Sequence, residues 1–599
     1  MDAVHSLRTD QRLTLKVAAV ACLISFCFAV IHLWDHRDLF DPEGISYLDI
    51  ADAYRRGDWR AALTGLWSPL YSWLLALVMF LFNPSAQWEF TAVHALNVII
   101  YLVALASFSF FMWELLRSNN EVAEDERLPD WSWLILGYSL FTWGTIQLIP
   151  LHLPEPDLLV SALVYLLLAM LLRIRKGNVT WGESNFMGVL MALGYFTKAV
   201  MFPMAFVFTA VALALTRRSR KMLFRILVSF FLFMSLSLPY IVALSNAKGH
   251  WTYSDGGRLN YAWDINKVTL WIHWQGENPA HGIPLHTTRK IHDDPPMYEF
   301  ATPIKATYPP WYDPSYWYEG VEVSVDMQRQ LEVLLNNTKH LLLFIANSPG
   351  PATAESRASG ALPWGYERTL GPLLALLCAM ILINLGRVSI FRAIAKRWFL
   401  LVPIAAGLAA YTLLHLEGRL IAAYVVALWM VLFQSVATPI SAESRRAFTT
   451  ILASAALIVS VSLIPGTARA MWHAARYLTN GNIETPFLQS GHTNWRVAEY
   501  LHNAGLRAGD PVGSVGYTYG AYWARMARLH VVSEIPEDGA KAFWSSDTAK
   551  QTVVIQLFRD TGAMAVVGSS VPAGSVPANW QRIADTDYYV YVFPRDSSK

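Results

Sequence analysis

DHRDLFDPEGISYLDIADAYRRGDWRAALTGLWSPLYSW, residues 35–73, packs acids, Tyr47 and polar turns directly behind an apolar segment, and its reading decides the fold. Upstream, residues 14–33 are long and apolar enough to span a bilayer. Asp41 and Glu43 therefore emerge at a membrane surface, where a carboxylate is partly desolvated yet within reach of water-soluble reactants. That placement suits a general base. Tyr47, Asp49 and Asp52 follow on a short amphipathic helix, and Asp49, Asp52 and Asp58 read as solvated loop acids. Downstream, the stretch runs into 67–83, which is apolar but opens around Ser68-Pro69 and closes at Asn83-Pro84. Whether 67–83 crosses the membrane sets the side on which every later residue falls.

With 54% hydrophobic and only 15% charged residues in 599, and a positive mean hydropathy, the chain lies outside the soluble globular class. It reads as an α-helical polytopic membrane protein. The 24 tryptophans fit interfacial belts and carbohydrate-stacking surfaces. A net charge of +2 points to no partner, and no nucleic-acid partner is expected. Cys22, Cys27 and Cys378 all fall inside apolar spans, which excludes a disulfide framework and a paired-cysteine zinc site. Arg8, Arg12 and Lys16 precede the first apolar run without a small-residue cleavage site, the pattern of a signal anchor.

Eleven candidate spans in all lie near 14–33, 91–114, 131–149, 157–173, 184–200, 201–216, 222–243, 367–386, 398–414, 419–437 and 448–465, with 67–83 an ambiguous twelfth. With 67–83 excluded, the connections on the side of the N-terminus hold the cation clusters around Arg117, Arg173 to Lys176, Arg217 to Arg225, Arg387 to Arg397, and Arg445-Arg446. Positive charge in short loops marks the cytoplasm, and a crossing at 67–83 would break that rule. The segment is therefore expected to be interfacial or re-entrant. The expected organisation is a transmembrane domain over 1–465, with a first outer loop at 34–90 and a long outer loop at 244–365, followed by an outer α/β domain over 466–599. The long loop is dense in aromatics and histidines, from Trp251 through Trp263, Trp271, His273 and Trp274 to the run Thr307–Gly320. In the tail, Val512–Val515, Val553–Gln556, Met564–Val567 and Tyr588–Val592 read as strands and Trp495–Leu506 as a helix.

The spacing Glu43-x-x-x-Tyr47-x-x-Ile50-Ala51, then Gly57-Asp58-Trp59 and Pro69-Leu70-Tyr71-x-Trp73, resembles the first outer loop of the polyprenyl-phosphate-sugar-dependent glycosyltransferases of the GT-C superfamily, the protein O-mannosyltransferase and lipid A aminoarabinose transferase type. In that superfamily the acid four residues before the tyrosine takes the acceptor proton. The register places Glu43 there, with Gly44 where a second acid often follows and Asp41 as a rival. A second outer-loop acid is common in the superfamily, and the loop Pro150–Asp157 offers His152, Glu155 and Asp157, with Asp157 opening the next span. Gly194-Tyr195-Phe196-Thr197-Lys198 resembles its Leu-Thr-Lys-Gly signature, with Ala199 in place of the glycine. Glu417-Gly418-Arg419 resembles another feature, an arginine suited to bidentate phosphate binding. The resemblance implies that Lys198 and Arg419 neutralise the departing lipid phosphate; Lys198 reads equally as a snorkelling lysine, and Glu417-Arg419 as a structural pair. The superfamily's lysine before the proline of the interfacial helix is here Ser68. These matches cover about the first 200 residues and one later loop.

The resemblance implies a GT-C-like bundle of about eleven spans in a bacterial inner membrane, with a cytoplasmic N-terminus and a periplasmic C-terminal domain. It implies an inverting, metal-independent transfer of a monosaccharide from a polyprenyl-phosphate donor to a hydroxyl of a lipid, glycan or protein. No cofactor is expected beyond that lipid-linked cosubstrate, although the acids remain compatible with a divalent metal. The expected catalytic residues are Glu43, Asp41 and Asp157, and the expected substrate-binding residues are Tyr47, His152, Glu155, Lys198, Glu417 and Arg419. Two other readings stand beside this one: a transporter or flippase of lipid-linked sugars, and a non-catalytic scaffold of the same fold. Transporters carry ionisable groups at the bilayer midplane and broken helices in repeated halves, whereas the acids here lie at span ends.

Overall fold

The computed structural model describes residues 2–37, 41–118, 127–177, 179–268, 273–286, 288–300, 304–346, 370–384, 390–437, 441–480, 486–572 and 579–594. Trp271 and Arg387, and the ends of the expected 367–386 span, lie outside them. The membrane part is built from α1 (Asp2–Asp35), α2 (Pro42–Arg55), α3 (Pro69–Phe82), α4 (Glu89–Arg117), α5 (Asp130–Trp143), α6 (Asp157–Arg175), α7 (Trp181–Thr197), α8 (Met201–Thr216) and α9 (Arg220–Lys248). The long loop adds α10 (Gly256–Asn260) and α11 (Met327–Ala346). Then come α12 (Leu370–Ile383), α13 (Trp398–Thr412), α14 (Gly418–Val436) and α15 (Ala442–Asn480). Six described helices are long and apolar enough to cross a membrane, at 12–35, 86–117, 157–175, 220–248, 418–436 and 442–476, and α3, α8, α12 and α13 are shorter apolar helices. The protein is thus a mostly helical, multi-pass membrane protein with a C-terminal sheet domain.

Local chemistry sets the helix starts that matter for the site. Asp41 caps α2 by accepting the Gly44 N–H at 2.8 Å, and Pro42 occupies the first helical turn. Thr180 and Glu183 form a reciprocal capping box at α7. In the interior α4 packs on α6, α7 on α9, and α1 on α5 and α15. The α7–α9 contact is close because Gly188 has no side chain: a Cβ there would collide with the backbone carbonyl of Ser229. Phe108 of α4 stacks on Phe141 of α5 at 4.9 Å and meets Tyr165 of α6 edge-on at 5.0 Å, locking three helices together.

The segment 67–83 lies between α2 and α4. Its helix α3 has 14 residues, about 21 Å at the α-helical rise, short of the roughly 30 Å hydrocarbon core. Asp49 of α2 and Glu89 of α4, on either side of it, bind the same guanidinium, that of Arg525, so its two flanks lie close together.

The sheet has seven strands in the order β1-β2-β4-β3-β5-β7-β6. Strands β3 (Pro511–Val515), β4 (His530–Ile535) and β5 (Ala565–Gly568) are parallel, and β7 (Tyr589–Val592) runs antiparallel beside β5, with β6 (Gln581–Arg582) at the edge. The hairpin β1 (Arg289–Asp293) and β2 (Pro296–Glu299) comes from the long loop and extends the same sheet through β2–β4 pairing. Residues Val553–Gln556, expected as a strand, lie inside a helix over Thr548–Asp560. Asp547 caps that helix on the Lys550 N–H, and Val554, Ile555 and Phe558 bury one helical face, so packing overrides the β-branched preference. Trp495 falls, as expected, in a helix, α16 (Pro486–Asn503), and a short helix α17 (Tyr522–Met526) follows β3.

Candidate active site

At one end of the bundle, five acids from three separate stretches of chain converge on Arg419. Asp41 and Glu43 open α2, Glu155 and Asp157 open α6, and Glu417 and Arg419 open α14. Three helix N-termini thus point at one place, where their dipoles favour carboxylates. Arg419 Nη2 lies 3.1 Å from Glu43 Oε1, its Nη1 touches Glu155 and lies 3.6 Å from Asp157 Oδ2, and its Nε touches Glu417. Lys198, the C-cap of α7, donates to Asp157 Oδ1 at 2.5 Å. Glu155 and Asp157 are buried, whereas the Glu43 side chain is 21% exposed and open to an incoming reactant.

His415 joins the cluster by bonding Glu417 at 2.8 Å, with Asp264 of the long loop 3.7 Å from its other ring nitrogen. Burial opposes its charge, but Asp264 and Glu417 outweigh it and raise its pKa to about 10, so it is a cation at neutral pH. Glu417 is held well below the usual carboxylate range, since Arg419 and His415 overcome its burial. Burial, then the negative charge of Glu43, raises Asp41 to about 6, against the pull of the Gly44 N–H and Arg419. Burial together with Glu43, Asp41 and Asp157 pushes Glu155 well above its ordinary value despite Arg419. Five acids against three cations leave excess negative charge, which adds to burial in pushing the Asp41 and Glu155 carboxyls up. Asp41, Glu43 and Glu155 bring carboxylate oxygens within 4.8 Å of one another, a spacing that can hold a cation.

Of the residues singled out in the sequence, Glu43, Asp41, Glu155, Asp157, Lys198, Glu417 and Arg419 therefore meet. Tyr47 lies under the cluster, 3% exposed, between Trp67 at 5.2 Å and Tyr71 at 5.3 Å. Burial and the charge of Glu43 raise its phenol well above its ordinary pKa, so it stays neutral. His152 turns the other way. It stacks on His36 at 4.6 Å, and burial, with His36, His94 and His32 nearby, pushes its pKa far down. Asp49 and Asp52 are not solvated loop acids: both are ion-paired with Arg525 of the C-terminal domain, at 2.6 and 2.8 Å. Asp264 and His415 had no sequence signal. Arg258, a long-loop cation open from the sequence as a phosphate contact in place of Lys198 and Arg419, lies on α10 with Nε and Nη2 buried and no hydrogen-bond partner for them among the described residues. The residues just before α10 bind the Gly65 carbonyl, through the Asp255 N–H at 2.8 Å and Ser254 Oγ at 3.0 Å, which brings Arg258 near the opening of α3.

No protein-family model and no curated protein matches the chain. Among solved structures it is similar to ArnT from Cupriavidus metallidurans bound to undecaprenyl phosphate, at 11% identity over 96% of this chain and 97% of that one, with a TM-score of 0.48. It is also similar to the Archaeoglobus fulgidus oligosaccharyltransferase tethered with an acceptor peptide, at 12% identity over 93% of this chain and 69% of that one, with a TM-score of 0.47. Neither likeness is strong enough to carry an activity to this chain.

Proposed function

We propose that the protein is a glycosyltransferase of the GT-C kind, moving a monosaccharide from a polyprenyl-phosphate donor to an acceptor hydroxyl at the periplasmic face of a bacterial inner membrane. The observation that carries this reading is the convergence of Glu43, Glu155, Asp157 and Glu417, distant in sequence, on the single guanidinium of Arg419 at the mouth of the bundle. A transporter would place such groups at mid-depth. A scaffold would have no use for five acids gathered into one partly open cluster, where each costs desolvation.

In this reading Asp41 is the general base. Its pKa near 6 suits proton uptake close to neutral pH, whereas the Glu43 carboxylate is already engaged by the Arg419 fork. Attack of the acceptor oxygen on the anomeric carbon from the face opposite the phosphate inverts that centre, and the acceptor proton passes to the Asp41 carboxylate. The bond to the lipid phosphate breaks, and the leaving phosphate takes up the charge. Asp157 is fixed by Lys198 and orients the acceptor. Because Lys198 and Arg419 are occupied by carboxylates, the unpartnered Arg258 is the cation best placed to receive the phosphate, where charge develops in the transition state. The carboxylate triad also fits a hard divalent ion held by oxygen ligands, which would add Lewis acidity there. Arg419 already supplies positive charge at its centre, so the transfer is taken as metal-independent.

The test is transfer in proteoliposomes from a panel of polyprenyl-phosphate monosaccharides, with the wild type and Asp157→Asn. The wild type turns over at least one donor, and the variant loses about 10²-fold through misorientation of the acceptor while staying folded. A folded variant with full turnover would refute the site.

A further inference from the structure

We propose that Arg525 of the C-terminal domain is a positioning residue that sets the place of α2, and through it of Asp41 and Glu43, during catalysis; this rests on the glycosyl-transfer reading above. Arg525 sits on α17, just after β3, and its guanidinium is 3% exposed. It reaches into the first outer loop and divides its donors between two helices. Nη1 lies 2.6 Å from Asp49 Oδ1 and 2.8 Å from Asp52 Oδ2, both on α2. Nη2 and Nε grip Glu89 of α4 as a fork, at 2.7 and 3.0 Å. The second oxygen of Asp49 accepts the Thr307 backbone N–H at 2.7 Å, and Thr307 Oγ bonds the first at 3.0 Å, so the long loop is joined to the same point. Arg528 adds a second cation to Glu89 at 2.8 Å.

Asp49 and Asp52 are three residues apart and so share one helical face, which lets one guanidinium fix both the rotation and the slide of α2. Asp49 lies six residues beyond Glu43, about 9 Å along the helix axis, and a rigid helix transmits displacement over that distance undiminished. The near half of α2 is held by the Glu43–Arg419 pair at 3.1 Å and by two neutral bonds, Ser46 Oγ to the Trp311 carbonyl at 3.0 Å and Ser72 Oγ to the Tyr47 carbonyl at 3.0 Å, so the Arg525 clamp is what fixes its far half. A planar fork sharing three carboxylates between two helices is geometry that an ammonium cannot reproduce. The C-terminal domain is therefore part of the catalytic apparatus without touching the reacting atoms.

The experiment compares the full-length wild type with Arg525→Lys, Arg525→Met and Asp49→Asn, by steady-state transfer and by hydrogen–deuterium exchange without substrate. The lysine and asparagine variants lower kcat by about 10- to 100-fold, since a misplacement near 1 Å costs that much, while the donor KM moves by no more than about twofold. Exchange rises over residues 42–55 and not over 157–175. If Arg525→Met does not fold, Arg525→Lys and Asp49→Asn carry the test. Unchanged kcat where exchange over 42–55 has risen overturns the proposal, as does unchanged exchange there, and so does a loss confined to KM. A wild type that transfers no sugar refutes the transferase reading instead, and the exchange measurement still shows whether the clamp holds α2.

Discussion

Asp41 and Glu43 compete for the role of base, and their electrostatics give the competition a measurable signature in the pH dependence. Burial and the charge of Glu43 raise the Asp41 carboxyl to about 6, while Arg419 pulls it down. If Asp41 takes the acceptor proton, kcat/KM falls on the acid side with a limb near pH 6, and at pH 5 only about one site in eleven remains ionised, a loss of about tenfold. Glu43→Gln removes the second-largest cause of the shift, so the variant keeps turnover and its limb moves to lower pH. Arg419→Gln removes an opposing cation and moves the limb upward. The same group has a stability consequence of definite sign. A carboxyl raised in the folded state stabilises the fold fully below its unfolded pKa near 3.8, and that contribution is lost as pH rises through about 6. The assay is transfer from a polyprenyl-phosphate sugar across pH 4.5–8, with Asp41→Asn as the reference lacking the group. A profile flat through pH 5, or a Glu43→Gln variant that is inactive at every pH while Asp41→Asn stays active, would refute the assignment and make Glu43 the base.

Three shorter expectations follow from the same geometry. Reporter fusions after residue 220 should report cytoplasm and fusions after 300 or 480 periplasm; a cytoplasmic C-terminus would invert the proposed side of the site. Arg258→Met should weaken donor binding by about tenfold or more, whereas Lys198→Met should act mainly on turnover by releasing Asp157; equal donor affinity in wild type and Arg258→Met, measured with the lipid phosphate alone, would remove Arg258 from the phosphate site. Transfer should persist after exhaustive chelation because Arg419 supplies the central positive charge, and a loss restored by Mg²⁺ or Mn²⁺ would replace that account with a metal bound at Asp41, Glu43 and Glu155.

What was legible in the sequence is what short-range pattern encodes. Apolar length marks helices, proline and capping residues mark their starts, and an acid at a span's edge is costly enough to stand out, which is why Glu155 and Asp157 could be named before their contacts were known, whereas Glu43, Lys198 and Arg419 came from the resemblance to the GT-C superfamily. The expectation for 67–83 rests on the side on which later cations fall; the structure adds that α2 and α4, on either side of it, share the Arg525 guanidinium. What was not legible is partnership at long range. Asp49 looks like any surface acid on a short helix, because its partner lies 476 residues away and neither side chain announces the other. The hairpin 289–299 gives no sign that it extends a sheet built more than 200 residues later, since β-pairing is specified by the edge it meets and not by its own sequence. Val553–Gln556 fails for the same reason in reverse. Its β-branched run is a local preference, and the buried face formed with Phe558 belongs to the tertiary structure. The inference that the C-terminal domain governs the catalytic helix therefore could not precede the structure: it rests on one arginine whose meaning is entirely in what surrounds it.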